Sequence, residues 1–352
     1  MVQEPDGTSY VSGFGERPNH QTGGGPLAIA HVGVCLDRSA VGDRVMPHAV
    51  AVAKAFGARV TVLHALEPPH DGPTAVPIDP LDWELQRTEA RGHLEAVRSE
   101  HGAGDLHVGG EVLEGHPAEE IRDWVSSHDV DLTVLASHGT SGWTEWRLAS
   151  TARKLLEGIS GSVLLVPAWS VQEPLGRVVT YDRIMVLLDG SPRAESALPA
   201  ASMVARTHNS ELLLLHVVAA PERSCPRPLG EEHDLDRRLI DRNARAAQSY
   251  LQGVRRRVAA NGGRVRTLVT TSADVRGEIM RRIAEDHVDL VVLSGHGHGG
   301  RAEISFGSVA SFLLEHATVP LLVMRDRTIR PPPSLPRSPS RGGVRLPHAT
   351  EP

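Results

Sequence analysis

The segment LSGHGHGGRAEISFGS, residues 293–308, gathers five glycines and two histidines directly behind an apolar run, VDLVVL. Four readings are open to such a stretch: a metal site, a catalytic loop, a phosphate cradle, or a surface loop with no ligand. Gly297 lets a backbone approach a ligand closely. Gly307 and Ser308 precede VASFLLEHA, whose spacing predicts a helix, and the free N–H groups and dipole of a helix N-terminus favour an anion. On these residues alone the cradle competes with a loop that needs glycine only for its turn and Ser308 only as an N-cap. His296 and His298 have no Cys or acidic cluster beside them, so no metal site is expected.

The elements that must position this loop come from an internal repeat. HVGVCLDRSA (31–40) matches RIMVLLDGSP (183–192), setting Asp37 against Asp189, 152 positions apart. ARVTVLHAL (58–66) matches SELLLLHVV (210–218), with His64 opposite His216 at the same offset. VDLTVLASHG (130–139) matches VDLVVLSGHG (288–297), and GSVLLVP (161–167) pairs with VPLLVMR (319–325), now 158 apart. Short Val/Leu/Ile runs alternate with stretches of helical spacing, the pattern of a parallel sheet with crossover helices, so the class is α/β. Met46, Ala49 and Ala53 in one copy, and Leu198, Ala201 and Ala205 in the other, place small apolar residues on one helical face. Pro47 and Pro199 fall in the first turns of these helices. Longer helices are predicted near 83–101 and 235–260, the latter with a stripe of Leu239, Ala246, Tyr250 and Val254. Residues 67–80 and 221–234 read as surface loops. His64 and His216, at strand ends, read as packed or hydrogen-bonded rather than catalytic.

Composition bounds the rest. A chain of 352 residues that is 40% hydrophobic can bury two cores of ordinary size, and two domains are expected. Two cysteines, Cys35 and Cys225, support neither a disulfide framework nor a Cys-based zinc site and point to a reducing compartment. A net charge of −6 and 3% aromatic residues argue against nucleic-acid partners. No apolar run reaches membrane-span length and the start MVQEPDGTSY has no signal-peptide pattern, so the expected location is cytoplasmic, away from membranes. Residues 1–28 and the Pro/Arg-rich stretch 326–352, which carries Ser338 and Ser340 as candidate phosphorylation sites, are expected to be disordered tails.

Taken together, the two strand-end aspartates, LLLLHVV, VDLVVLSGHG, the spaced GS pair and the final VPLLV resemble the universal stress protein family, over roughly 29–168 and 181–325. The resemblance implies two tandem domains, 29–170 and 181–325, each a five-stranded parallel open sheet with helices on both faces, an adenine nucleotide alpha hydrolase-like fold. ATP-binding members of that family carry Gly, two residues, Gly, nine residues, Gly, then Ser or Thr. The second copy gives Ser294, Gly297, Gly307 and Ser308 at those positions, departing only at the first glycine. Its implied nucleotide contacts are Leu188, Asp189, Val217, Ser294, Gly297, Gly307, Ser308 and Val309. The first copy offers Asp37, Ala65, Ala136, Gly139, Ser150 and Thr151, with Ala149 replacing a glycine. It is expected to be the weaker site, because a Cβ at 149 crowds the phosphate and resists positive φ.

The chain's two lysines, Lys54 and Lys154, stand outside any Gly-rich run ending in Ser or Thr, so the P-loop lysine is absent. No G-x-S-x-G elbow and no H-E-x-x-H set occurs either. The resemblance therefore implies a nucleotide-dependent regulator in a stress or dormancy response rather than an enzyme, with at most slow ATP hydrolysis. ATP, with or without Mg, is the expected ligand, and other adenine nucleotides are alternatives. The last strands, SVLLVP and VPLLVM, are expected to pair within the chain as an internal pseudo-dimer, with room for further homodimerisation and a regulatory protein partner. The rival reading is a scaffold of the same fold that binds no nucleotide.

Overall fold

Each copy folds as short apolar strands alternating with amphipathic helices. The structure is a computed structural model describing residues 29–37, 39, 44–68, 79–102, 106–137, 148–168, 178–220, 230–260, 262–297 and 305–325, with backbone alone over 230–235. The first copy supplies β1 (His31–Cys35), α1 (Val45–Phe56), β2 (Arg59–Leu66), α2 (Pro80–His101), β3 (Val108–Glu114), α3 (Pro117–Ser127), β4 (Leu132–Ala136), α4 (Ser150–Gly158) and β5 (Ser162–Val166). The second supplies β6 (Arg183–Leu187), a single turn at Pro192–Glu195, α5 (Leu198–His208), β7 (Glu211–Ala219), α6 (Gly230–Ala259), β8 (Arg264–Ser272), α7 (Val275–Glu285), β9 (Leu290–Ser294), α8 (Ser308–His316) and β10 (Leu321–Met324). Cys225, His138, Gly139, Thr140, His298, residues 69–78 and both expected tails lie outside the described residues.

Within each copy the strands are parallel, in the order β3-β2-β1-β4-β5 and its counterpart β8-β7-β6-β9-β10. The chain runs outward from the first strand of each copy, then crosses back to the other side. The resulting switch points lie between β1 and β4 and between β6 and β9, where open parallel sheets form ligand crevices. A latch repeats beside each: Asp131 Oδ2 accepts from the Ala30 and His31 N–H groups, and Asp289 Oδ2 accepts from Asp182 and Arg183. These are the aspartates of the two VDL motifs, and their role is to align neighbouring strands.

The two half-sheets join through β5 and β10, which pair antiparallel with Leu321 opposite Leu165, Leu322 opposite Leu164 and Val323 opposite Val163. The result is one ten-stranded sheet. Alternate residues of the joint face opposite sides, so Leu164 and Leu322 enter one core with α1, α2, α5 and α6, while Val163, Leu165, Leu321 and Val323 enter the other with α4, α7 and α8. Leu63 packs with Ile121 and Val125 of α3 and Leu155 of α4 in a smaller cluster on that second face. On the first face α1 meets α5 across the domain boundary. Fully buried Tyr181 plugs that seam, its hydroxyl 2.9 Å from His48 Nδ1 and its ring edge-on to His208.

Local chemistry explains where the elements stop. Gly57 and Asn209 take left-handed conformations at matching helix ends, and Asp79 and Asp274 accept N–H groups of α2 and α7 as N-caps. Two expectations need correcting. The helix expected at 235–260 begins at Gly230, so the last residues assigned to the 221–234 loop form its first turn. Its buried face is Ala247, Leu251, Val254 and Val258; Ala246 is exposed and Leu239 is 46% exposed, because α6 covers β7 and β8 mainly with its C-terminal half.

Candidate functional site

β6 and β9 end side by side, and the site is built from the chain just past each strand end. Beyond β6, the Leu188 N–H bonds the Leu215 carbonyl at 2.9 Å, holding the chain in line with β7 before it turns away. Gly190, at φ +84, makes that turn. Asp189 Oδ1 then accepts from the backbone N–H of Ser191 at 2.9 Å and from its hydroxyl at 2.6 Å. Ser191 in turn caps the Pro192–Glu195 turn through Ala194 N–H. The carboxylate is thereby fixed with its second oxygen facing the glycine loop. The first copy repeats the device, with Asp37 Oδ1 accepting from Ser39 N–H and its hydroxyl at 3.1 and 2.5 Å. The two serines are not among the expected site residues; the Asp-x-Ser spacing in both copies is the signal that marks them.

Beyond β9, Gly295 N–H bonds the Met324 carbonyl and the Gly295 carbonyl accepts from Gly307 N–H at 2.7 Å, drawing the start of α8 against the strand end. Gly307 is the N-cap residue without a side-chain cap, and the first helical bond is from Ser311 N–H to the Gly307 carbonyl. The N–H groups of Ser308, Val309 and Ala310 therefore have no helical acceptor and open at the positive end of the helix dipole. Gly297 packs so close to Asp189 that a Cβ there would lie 2.2 Å from Oδ2. Its requirement is space, not an unusual backbone angle.

All eight expected residues of this copy, Leu188, Asp189, Val217, Ser294, Gly297, Gly307, Ser308 and Val309, line one cavity of about 480 Å³. Its walls are mostly apolar, built by Leu187, Leu215, Val275, Ile279, Leu293 and Phe306, with polar groups gathered at Asp189, Ser294 and the α8 N-terminus. Apolar walls with a few convergent polar groups and a volume of this order are the usual make-up of small-molecule sites. His296 lines the cavity as well. His64 is 5% exposed with Nδ1 on the Leu36 carbonyl, and His216 packs edge-on to Tyr250. Both histidines serve packing, and among the described residues no three His, Cys, Asp or Glu side chains are grouped to hold a metal ion.

In the first copy Asp37, Ala65 and Ala136 stand at the ends of β1, β2 and β4, with Ser150 and Thr151 opening α4. Gly139 lies outside the described residues. The backbone argument for a weaker first site does not hold. Gly307 has φ −69 and ψ 166, and Ala149 has φ −55 and ψ 147, both ordinary for any residue. The Ala149 N–H bonds the Ser137 carbonyl at 3.0 Å just as Gly307 bonds Gly295. A Cβ at 307 would meet the Gly295 carbonyl at 3.5 Å, an ordinary contact. An alanine Cβ has ordinary room at 307, whereas at 297 it would overlap the Asp189 carboxylate unless that side chain moved.

A doubly wound parallel sheet, duplicated in one chain and carrying a cavity at a switch point beside a helix N-terminus, defines a tandem α/β protein of the open-sheet type. The sequence profile of the Universal stress protein family matches residues 29–167 and 180–325, and the chain belongs to that family. A universal stress protein of Mycolicibacterium smegmatis is 27% identical over 310 residues, 84% of this chain and 96% of that protein. Universal stress protein YxiE of Bacillus subtilis is 26% identical over 149 residues, 41% of this chain and 99% of its own. A universal stress protein structure from Archaeoglobus fulgidus superposes with a TM-score of 0.58 at 18% identity, covering 84% of this chain and 98% of that one, a likeness of fold. Among the described residues no helix is long and apolar enough to cross a membrane.

Proposed function

We propose that the cavity of the second domain binds ATP and that its occupancy regulates a partner protein in a stress or dormancy response. The observation that carries this reading is the convergence of the spaced Ser294, Gly297, Gly307 and Ser308 with Asp189 around one cavity. The apolar slot between Leu187, Val217, Val275 and Ile279 suits a planar base, and Asp189 sits where it can accept a hydrogen bond from base or sugar. Ser308 and Val309 offer N–H groups, and Ser308 a hydroxyl, to phosphate oxygens. The chain thus supplies binding and orientation, with no group placed as nucleophile or base in this reading.

Calorimetric titration with ATP, with and without Mg, tests the proposal. The expected result is saturable binding that Gly307→Ile abolishes, since a branched side chain there grows toward the Gly295–Gly297 backbone. Parallel titrations with AMP and a cyclic nucleotide rank the ligands. No heat, no thermal shift at millimolar ATP and no nucleotide in an acid extract of the purified protein would replace this reading with the scaffold.

A further inference from the structure

Arg325 directly succeeds β10, and its side chain lies where the second domain's cavity wall meets the first domain. One arm of the guanidinium donates to the Ser305 carbonyl at 2.7 Å. The other donates to the Ile159 carbonyl at the carboxyl end of α4. The group rests over the Phe306 ring, 4.3 Å from its centroid, and Arg325 N–H donates to Ser162 Oγ on β5 at 3.3 Å. A second tie runs alongside, from Ser305 Oγ to the Glu157 carbonyl at 3.1 Å. Ser305, Phe306 and Gly307 form the stretch that feeds α8, and the last two line the cavity. The wall of one domain's cavity is therefore fastened to the final carbonyls of a helix in the other.

That helix carries the first copy's counterpart residues at its opposite end. α4 is nine residues long, roughly 13 Å. Its first turn holds Ser150 and Thr151, which match Ser308 and Val309, while its last carbonyls receive Arg325 and Ser305. The arginine is not repeated, because the residue matching Arg325 in the first copy is Pro167, which has no side-chain donor. Arg325 also has no carboxylate pairing with it among the described residues, and burial pulls its pKa below the ordinary arginine value. A buried cation without a counter-ion is stabilised when an anion arrives nearby.

We propose that Arg325 couples the second domain's cavity to the first domain, clamping the Ser305–Gly307 wall onto α4 so that an anion at Ser308 and the setting of α4 are linked. The proposal rests on the phosphate reading of the cavity for its ligand, and the tie itself can be tested without one. Hydrogen exchange would be followed on the full chain, with and without millimolar MgATP, for wild type, Arg325→Gln and Arg325→Lys. Without ligand, Arg325→Gln is expected to speed exchange at Gly307–Ala310 and at Leu155–Ser162 together, leaving β6 and β7 unchanged. With ATP, wild type is expected to gain protection in both segments. Arg325→Gln should bind about tenfold more weakly and protect only the cavity side. Arg325→Lys keeps the charge but not the fork, so it should recover affinity without recovering protection of α4.

If the α4 amides are indifferent to Arg325→Gln in the ligand-free protein, the tie is overturned whether or not ATP binds. ATP protection of α4 that persists in Arg325→Gln overturns the coupling. Wild-type protein that binds no ATP, yet shows the paired ligand-free change, upholds the tie and retires the nucleotide reading.

Discussion

Two glycines of the cavity loop differ in what they are for. Gly297 leaves room for Asp189, whose Oδ2 would stand 2.2 Å from a Cβ, while Gly307 has only ordinary contacts to lose. Gly297→Ala is therefore expected to displace the carboxylate and weaken its two bonds from Ser191, whereas Gly307→Ala meets only ordinary contacts. Calorimetry should show at least a roughly tenfold loss of ATP affinity for Gly297→Ala and a change within about threefold for Gly307→Ala. Equal losses would overturn the unequal roles assigned to the two glycines. The loop spacing that flags Gly297 and Gly307 is local and so readable from the chain. Their unequal roles are not, because the deciding neighbour is Asp189 on another strand. The same limit applies to Ala149: a glycine in a motif advertises backbone freedom, and only the dihedral tells whether that freedom is used.

Helices and strands are legible in the sequence where periodicity is strong. Buried runs such as IMV in β6 and LVVL in β9, and the small-residue face of α1, are set by composition at their own positions. The start of α6 is hidden by Pro226, Pro228 and Gly230, which read as loop residues, and its face by an arginine-rich sequence in which Ala246 and Ala247 compete. The α1–α5 seam also escapes the sequence, since His48 and Tyr181 are brought together only by the joining of the halves. Burial there lowers the His48 pKa to about 4, against 6.5 for an exposed histidine. Between those values the unfolded chain binds the proton and the folded one does not, so stability is complete above pH 6.5 and falls as the pH drops toward 4. The full loss is about 3 kcal/mol, and burial of His208 acts in the same direction. Denaturant midpoints at several pH values should fall more steeply for wild type than for His48→Gln; identical slopes would remove His48 as a source of acid sensitivity.

At the scale of the whole molecule, ten strands and two cores run continuously through the β5–β10 joint. Leu164 and Leu322, one on each strand of that joint, are fully buried and belong to one core. Truncating either to alanine should cost about 2–5 kcal/mol and lower the stability of both halves together. Calorimetric melting that resolves into two independent transitions, with only one of them moved by Leu322→Ala, would show that the halves fold separately. That the terminal strands of the two copies meet is readable from the repeat and the family likeness. The antiparallel register, and the Arg325 tie beside it, depend on contacts between residues more than 150 positions apart, which no local pattern encodes.

The joint has one more consequence, which concerns assembly rather than packing. Both strands belong to the same chain, so their meeting is governed by an effective concentration fixed by the connecting segment and not by the amount of protein present. Dilution over about a hundredfold should leave the β5–β10 contact intact, as no second molecule is needed to form it. A cell could thus hold this protein at very low copy number without losing the contact between its halves.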